Sequence, residues 1–362
     1  MASQRNVSSF ETITVLGLIA TGAFPALAFV CWLISAVGTT MPIPGGGSVP
    51  NIFAPASGNA KTLFDLAMFV LAVTGAIFVI VCSLLAATLL KFRGAPASAD
   101  REPAQVYGST QIELAWTIIP CLIVVVLFLA TARVIHAVQD APEPPGAIDV
   151  TVIGHQFWWE FRYPALGVVT ANELHIPVSD AARPRPTFLK LLSADTDHSF
   201  WVPELGGKVD LIPNRENRMW LDPHRTGLFL GQCAQYCGTQ HGKMLLRVVV
   251  DAPGDFEAWV RAQQRPAARD ERVAAGRRVF ETTACINCHA VGGTPANGRY
   301  GPDLTHLMSR STIASGAAPN TPENLRRWID DPATIKPGSL MPAMKLPDAD
   351  LEALVAYMQT LR

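Results

Sequence analysis

Two thiols, an imidazole and a thioether fall within the short stretch Cys233-Ala-Gln-Tyr-Cys237-Gly-Thr-Gln-His241-Gly-Lys-Met244. Thiolate and thioether sulfur are soft ligands and imidazole is intermediate, a set that favours copper over hard cations. The four-residue steps from Cys233 to Cys237 and from Cys237 to His241 let one looped segment aim three donors at a point. A further histidine, His198, lies upstream where a neighbouring loop can deliver it. A Cys233–Cys237 disulfide suits an oxidising compartment but leaves His198, His241 and Met244 without a task. A structural zinc site accepts two cysteines and two histidines but has little use for a thioether. A mononuclear blue-copper site takes one Cys, two His and a weak axial Met, which leaves a cysteine over. Two thiolates can instead bridge two copper ions, with one terminal imidazole for each. Such a pair has no evident open position for a substrate. It carries electrons.

A second constellation follows in Cys285-Ile-Asn-Cys288-His289. C-x-x-C-H is the signature of covalent haem attachment, two thioethers fixing the porphyrin and the histidine serving as axial ligand; a redox dithiol or a chance match is the alternative. Tyr300-Gly-Pro302-Asp-Leu304 resembles the segment of class I cytochromes c whose proline carbonyl accepts the axial imidazole N–H. Lys336-Pro-Gly-Ser-Leu-Met341-Pro-Ala-Met344 resembles their axial-methionine loop, and its Pro-Gly-x-x-Met spacing favours Met341, with Met344 the runner-up. His306 and Met308 come too soon after the haem motif and are read as ordinary residues. Met/His ligation raises a haem's potential and suits it to electron transfer. The terminal stretch 348–361 has helical apolar spacing. In a class I cytochrome such a helix crosses the first one, here near Gly276 and Phe280. The resemblance covers residues 270–362.

The copper-type segments together resemble the dinuclear CuA site of cytochrome c oxidase subunit II. That resemblance implies that Cys233 and Cys237 bridge, His198 and His241 cap, Met244 ligates weakly, and Gln235 contributes its backbone carbonyl. Many relatives carry glutamate at the Gln235 position, where the carboxylate also binds a magnesium ion shared with subunit I; Gln235 offers only an amide oxygen to that ion. In Gly154-His-Gln-Phe157-Trp158-Trp159-Glu-Phe-Arg-Tyr163 the aromatics suit a protein core, and the resemblance adds a patch that passes electrons to copper. Where many oxidases have a tryptophan for this purpose, this chain has Phe157, a departure that argues against a surface tryptophan route from a separate cytochrome c. Glu113, at the mouth of an apolar run, is either an interfacial carboxylate left in water or, as the resemblance implies, the start of a proton path into subunit I.

These residues must be positioned by a chain of 362 residues, 49% hydrophobic and 16% charged, with a net charge of −1. That composition leans toward a membrane protein with soluble parts, and the charge gives no basic field for nucleic acid. Apolar runs at 13–37, 63–90 and 112–138 are each long enough to cross a bilayer. The first is read as a retained helix, with a cleaved export signal the alternative. Lys91, Arg93 and Arg101 between the second and third runs place that loop in the cytoplasm and everything after about residue 140 outside. Of the seven cysteines, Cys31, Cys82 and Cys121 lie in apolar runs and are expected to be inert buried thiols. Beyond the stiff Pro142–Gly146 linker, alternating runs at 148–153, 187–192 and 245–250 predict strands. A charged linker is expected after Trp259.

The expected architecture is a multi-domain membrane protein: transmembrane helices, then an all-β cupredoxin-like domain, then an all-α class I cytochrome c domain. Its boundaries are set at 1–60 (helix or signal), 61–140 (helical hairpin), 141–262 (CuA domain) and 263–362 (cytochrome). The resemblance implies the electron-input subunit of a haem–copper oxidase in the bacterial plasma membrane, with both cofactor domains on its outer side and no catalytic residue of its own. Its expected partners are subunit I, where oxygen is reduced and protons are translocated, subunit III, membrane lipid, and an external donor (a cytochrome c or a quinol–cytochrome c reductase). The alternatives are the input subunit of a nitric oxide reductase and a free-standing membrane-anchored carrier.

Overall fold

The computed structural model describes residues 49–92, 107–140, 143–180 and 184–362. The expected helix at 13–37, Cys31 and the loop charges Arg93 and Arg101 lie outside the described residues. The chain forms two compact units, one holding Asp65–Ala137 and the other holding residues 49–64 with Val138–Arg362.

The first unit is dominated by two long apolar helices, α1 (Gly58–Lys91) and α2 (Thr110–Gln139). Each has a mean hydropathy of 2.7 across its most apolar window and exceeds the ~20 residues needed to span a bilayer core. Pro120 sits inside α2, as membrane helices tolerate. Cys82 and Cys121 are exposed on these helices. The expectation of thiols buried within this chain is therefore corrected: two helices cannot cover one another on all sides.

In the second unit ten strands, among them β3 (Val168–Ala171), β7 (Val209–Leu211) and β8 (Asn217–Leu221), form two five-stranded sheets, ordered β3-β2-β1-β5-β8 and β4-β10-β9-β6-β7. The three expected strands are present as β1 (Ile148–His155), β5 (Thr187–Ser193) and β10 (Leu245–Asp251). The others that matter here are β2 (Trp158–Tyr163), β4 (Glu173–Pro177), β6 (His198–Trp201) and β9 (Gly227–Cys233). β1–β5 and β4–β10 pair parallel. Val150, Val152, Phe161, Leu189, Phe200, Phe229 and Val248 join one buried cluster between the sheets, each such side chain contributing about 1.5–3 kcal/mol.

The chain does not leave this sandwich through a free linker. Helix α3 (Pro253–Gln263) buries Phe256, Val260 and Gln263, the i, i+4, i+7 stripe of an amphipathic helix. Trp259 stacks on His175 at 4.4 Å between ring centroids. The Gln264 side chain then donates to Leu166 O, and Ala267 N donates to Gly292 O in the next module. Arg261 on the helix and Arg265 and Arg269 beyond it are all exposed, which is why the stretch reads as a charged linker.

The last module is helical: α4 (Ala274–Thr282), α5 (Cys285–Cys288), α6 (Pro322–Asp330) and α7 (Asp348–Met358). A short two-stranded ladder of Thr312–Ile313 with Ala318–Pro319 joins them. α4 crosses α7 at Gly276, where a Cβ would lie 1.8 Å from the Ala353 carbonyl oxygen. Phe280 and Tyr357 pack beside that crossing at 5.9 Å.

Candidate metal and haem centres

The end of β9 and the turn after it bring the expected donors together. Cys233 and Cys237 Sγ lie 3.9 Å apart, nearly twice a covalent S–S bond of about 2.05 Å, and both are free thiols. His198 Nδ1 is 3.9 Å from Cys233 Sγ, and His241 Nδ1 is 3.7 Å from Cys237 Sγ. Met244 Sδ is 3.8 Å from Cys237 Sγ, and the Gln235 carbonyl oxygen is 3.1 Å from Cys233 Sγ. Cys233, Cys237, Met244 and His198 are all buried, whereas Gln235 is exposed. Its side chain is therefore free to point away while its carbonyl turns inward.

Local structure aims these donors. Cys233 N donates to Met244 O, which closes the loop between β9 and β10, and Gly238, at φ +130°, permits the bend after Cys237. His198 is directed by Asp195, whose Oδ1 lies 2.7 Å from Nε2, leaving Nδ1 for the sulfur cluster. Burial opposes a charged imidazole, but the Asp195 carboxylate holds His198 above the usual imidazole range. The contact with the Cys237 thiol pulls Cys233 well below the usual thiol value, and the same contact together with burial pushes Cys237 up.

The second centre is a cavity of about 480 Å³ in the helical module. Cys285, Cys288, His289, Met341 and Met344 all line it. His289 Nδ1 lies 2.7 Å from the Pro302 carbonyl oxygen, the contact expected from the sequence. Burial pushes His289 below the usual imidazole value, so the ring is neutral, with Nδ1–H donating and the Nε2 lone pair available. Gly301 is required here, because a Cβ would come 2.5 Å from His289 Cε1. His306 is buried with Nε2 paired to Gln263 O and does not line the cavity, consistent with its reading as an ordinary residue.

The family description "Cytochrome C oxidase subunit II, transmembrane domain" matches residues 50–134, "Cytochrome C oxidase subunit II, periplasmic domain" matches 183–252, and "Cytochrome c" matches 273–362. A "Cytochrome c oxidase subunit 2" of Alkalihalophilus pseudofirmus is 36% identical over 315 residues, covering 85% of this chain and 90% of the relative. The chain belongs to the cytochrome c oxidase subunit II family. A subunit 2 from a Bacillus species is 32% identical, covering 75% of this chain and 80% of that one. The crystal structure of the periplasmic domain of subunit II of cytochrome oxidase from Bradyrhizobium japonicum covers 33% of this chain and 96% of that one, at 27% identity and a TM-score of 0.31.

This subunit II is thus the electron-input subunit of a haem–copper oxidase, anchored in a membrane and associated with subunit I. Its two cofactor-bearing modules imply CuA copper and haem c, and the residues present fit both. The nitrogen and sulfur donors of His198, Cys233 and Cys237 lie within 4.8 Å of one another. The haem cavity contains Arg310, 7% exposed, whose Nε has no hydrogen-bond partner. A buried guanidinium with an unmet N–H suits an anionic propionate.

Three of the structural contributors had no sequence signal. Asp195 orients His198; Gln156 Nε2 donates to Cys237 O at 2.6 Å; Arg310 faces the cavity. The expected electron-input aromatics separate into two groups. Phe157 and Trp158 line the haem cavity, whereas Trp159 is fully enclosed in the sandwich core, 6.1 Å from the His198 ring. Glu113 occupies the first turn of α2 and is exposed.

Proposed function

We propose that Cys233 and Cys237 bridge the copper pair, that His198 and His241 cap it, and that Met244 and the Gln235 carbonyl complete the set. Cys285 and Cys288 would anchor the haem, with His289 and Met341 as axial ligands. When bound, the two groups exchange single electrons. The chain's own contribution is to hold them with little freedom to rearrange: Pro302 fixes the His289 ring, Asp195 fixes that of His198, and the sandwich core encloses the sulfur pair. The observation that supports transfer between the two centres is the shared wall. Phe157 lines the haem cavity, and its neighbour Gln156 hydrogen-bonds the Cys237 carbonyl. An external donor, a cytochrome c or a quinol–cytochrome c reductase, would reduce the haem; the copper pair would then pass the electron to subunit I for oxygen reduction coupled to proton translocation.

The same reading places the complex in the bacterial plasma membrane, with subunit III as a further partner and any shared magnesium contacted through the Gln235 amide. Module boundaries near residues 60, 140 and 262 belong to it as well. The test is isolation of the tagged chain in mild detergent, with a reduced-minus-oxidised spectrum and oxygen uptake from ascorbate and a mediator. A-type haem with oxygen uptake supports the reading. Haem b with nitric oxide turnover, or haem c and copper with no partner, would overturn it.

Two variants probe individual roles. Arg310→Leu removes a buried cation beside the haem, so the oxidised form gains relative stability and the midpoint potential falls by on the order of 60 mV, a tenfold change for a one-electron couple; an unmoved potential in a redox titration would separate Arg310 from the haem. Glu113→Gln removes the carboxylate assigned to proton uptake. It is expected to slow steady-state oxygen consumption while copper reduction in stopped flow is unchanged; wild-type turnover would return Glu113 to an ordinary interfacial acid.

A further inference from the structure

The seam between the copper-bearing sandwich and the haem-bearing module is closed by polar contacts, some exposed and some buried. Three of them come from the segment that precedes Met341. Lys243 Nζ donates to Ile335 O at 3.1 Å, and the Gln240 side-chain amide donates to Pro337 O. Gly338, at φ +82°, packs so near Thr239 that a Cβ would come 3.0 Å from its Oγ1. Residues 335–338 of the haem module are thereby stitched to the turn 239–243 that carries His241.

Lys336 sits at the centre of this seam. It is 2% exposed, and its Nζ donates to Phe157 O at 2.7 Å and to Ala314 O at 3.2 Å. An amine buried this deeply is tolerated only where acceptors meet its N–H groups, and here one acceptor comes from each module. The backbone it grips is already tied to the copper site. Gln156 N donates to Asp195 Oδ2 at 2.6 Å, and Asp195 Oδ1 meets His198; the Gln156 amide meets Cys237 O. Two further seam contacts lie apart from this chain: the Glu173 carboxylate accepts from the backbone and hydroxyls of Ser311 and Thr312, and Ser315 Oγ donates to Leu245 O.

We propose that Lys336 is a positioning residue for electron transfer within this chain: by clamping the Phe157 carbonyl from the haem module, it holds that module in one fixed docking on the copper module. A tether alone would supply only an effective concentration and a range of separations. A clamped seam supplies one separation, and transfer rate falls steeply with distance. The step would make and break no bond: with both groups bound, one electron would pass from the haem held at His289, reduced by the external donor, to the copper held at Cys233 and Cys237. This inference rests on the cofactor assignment proposed above.

The test uses the intact purified oxidase complex, wild type and Lys336→Met, with haem and copper content measured in each. Two quantities are read: amide hydrogen exchange across 239–243 and 311–315, and the haem-to-copper transfer rate after photochemical reduction of the haem. In Lys336→Met both cofactors are retained, exchange in the two segments rises, and transfer slows by roughly tenfold or more with heterogeneous kinetics, as small misplacements do. Direct reduction of copper by a small mediator stays at the wild-type rate. Lys336→Arg, which keeps donors for both carbonyls, restores protection and rate. Should Lys336→Met lose its haem, Lys336→Gln is used in its place with the same two readings. Unchanged exchange with unchanged transfer overturns the clamp. A wild-type chain that loads both cofactors but shows no transfer between them overturns the assignment beneath it, and the clamp with it.

Discussion

Replacing Gly276 with alanine is expected to destabilise the cytochrome module, although the same change stabilises an ordinary helix interior by about 1 kcal/mol. The reason is the crossing of α4 with α7. A Cβ at residue 276 would stand 1.8 Å from the Ala353 carbonyl oxygen, 2.5 Å from its carbon and 2.9 Å from Tyr357 Cβ. Two of those atoms are backbone, so no rotamer change relieves the clash; the helices must move apart. Separation would loosen the packing of Phe280, Leu354 and Met358, which line the haem cavity from that side. Overpacking of this kind costs about 1–3 kcal/mol, more where the backbone cannot yield. Thermal unfolding followed by haem absorbance should therefore shift to lower temperature, with the copper spectrum of the sandwich retained. A raised transition temperature would mean that the two helices do not cross at this residue.

Cys237→Ser is expected to convert the copper pair into a single ion and to abolish turnover. Serine cannot supply a bridging thiolate. What remains is one thiolate at Cys233, the imidazoles of His198 and His241, and the Met244 thioether, which is the donor set of a mononuclear blue-copper site. Covalent haem should persist, because Cys285 and Cys288 belong to the other module. Copper analysis and the visible spectrum decide the matter: a retained copper pair with undiminished oxygen uptake would remove Cys237 from the bridge. The variant also separates the sulfur pair from a simple zinc or disulfide role, since neither would leave a copper-dependent absorption behind.

Much of this architecture is legible in the sequence because its chemistry is carried by local spacing. The segment 233–244 holds four donor side chains close together, and Cys285–His289 holds three more, so neither motif needs tertiary information to be recognised. The strands at 148–153, 187–192 and 245–250 alternate in the usual way, and α1 and α2 are continuous apolar runs. What was not legible depends on burial by another part of the chain. Arg310 and Lys336 look like surface cations until the fold encloses them, at 7% and 2% exposure. Glu173 lies on β4 opposite Arg247 as an ordinary strand carboxylate, and the arrival of Ser311 and Thr312 gives it hydrogen-bond donors from the other module. The segment after Trp259 misled for a different reason. Its arginines advertise solvent, while the stripe of Phe256, Val260 and Gln263 that defines α3 starts before the composition changes.

The buried Glu173 carboxylate bears on attempts to rebuild this protein from interchangeable parts. It is 4% exposed and meets its donors at 2.7–3.1 Å from residues of the cytochrome module. A chimera that joined a foreign cytochrome c at residue 270, without hydroxyls at the positions of Ser311 and Thr312, would press an apolar or mismatched face onto that carboxylate. Leaving a buried carboxylate without these hydrogen bonds costs about 1–3 kcal/mol. Grafting experiments should therefore carry 311–315 and 335–339 across with the recipient's own sequence, or replace Glu173 at the same time.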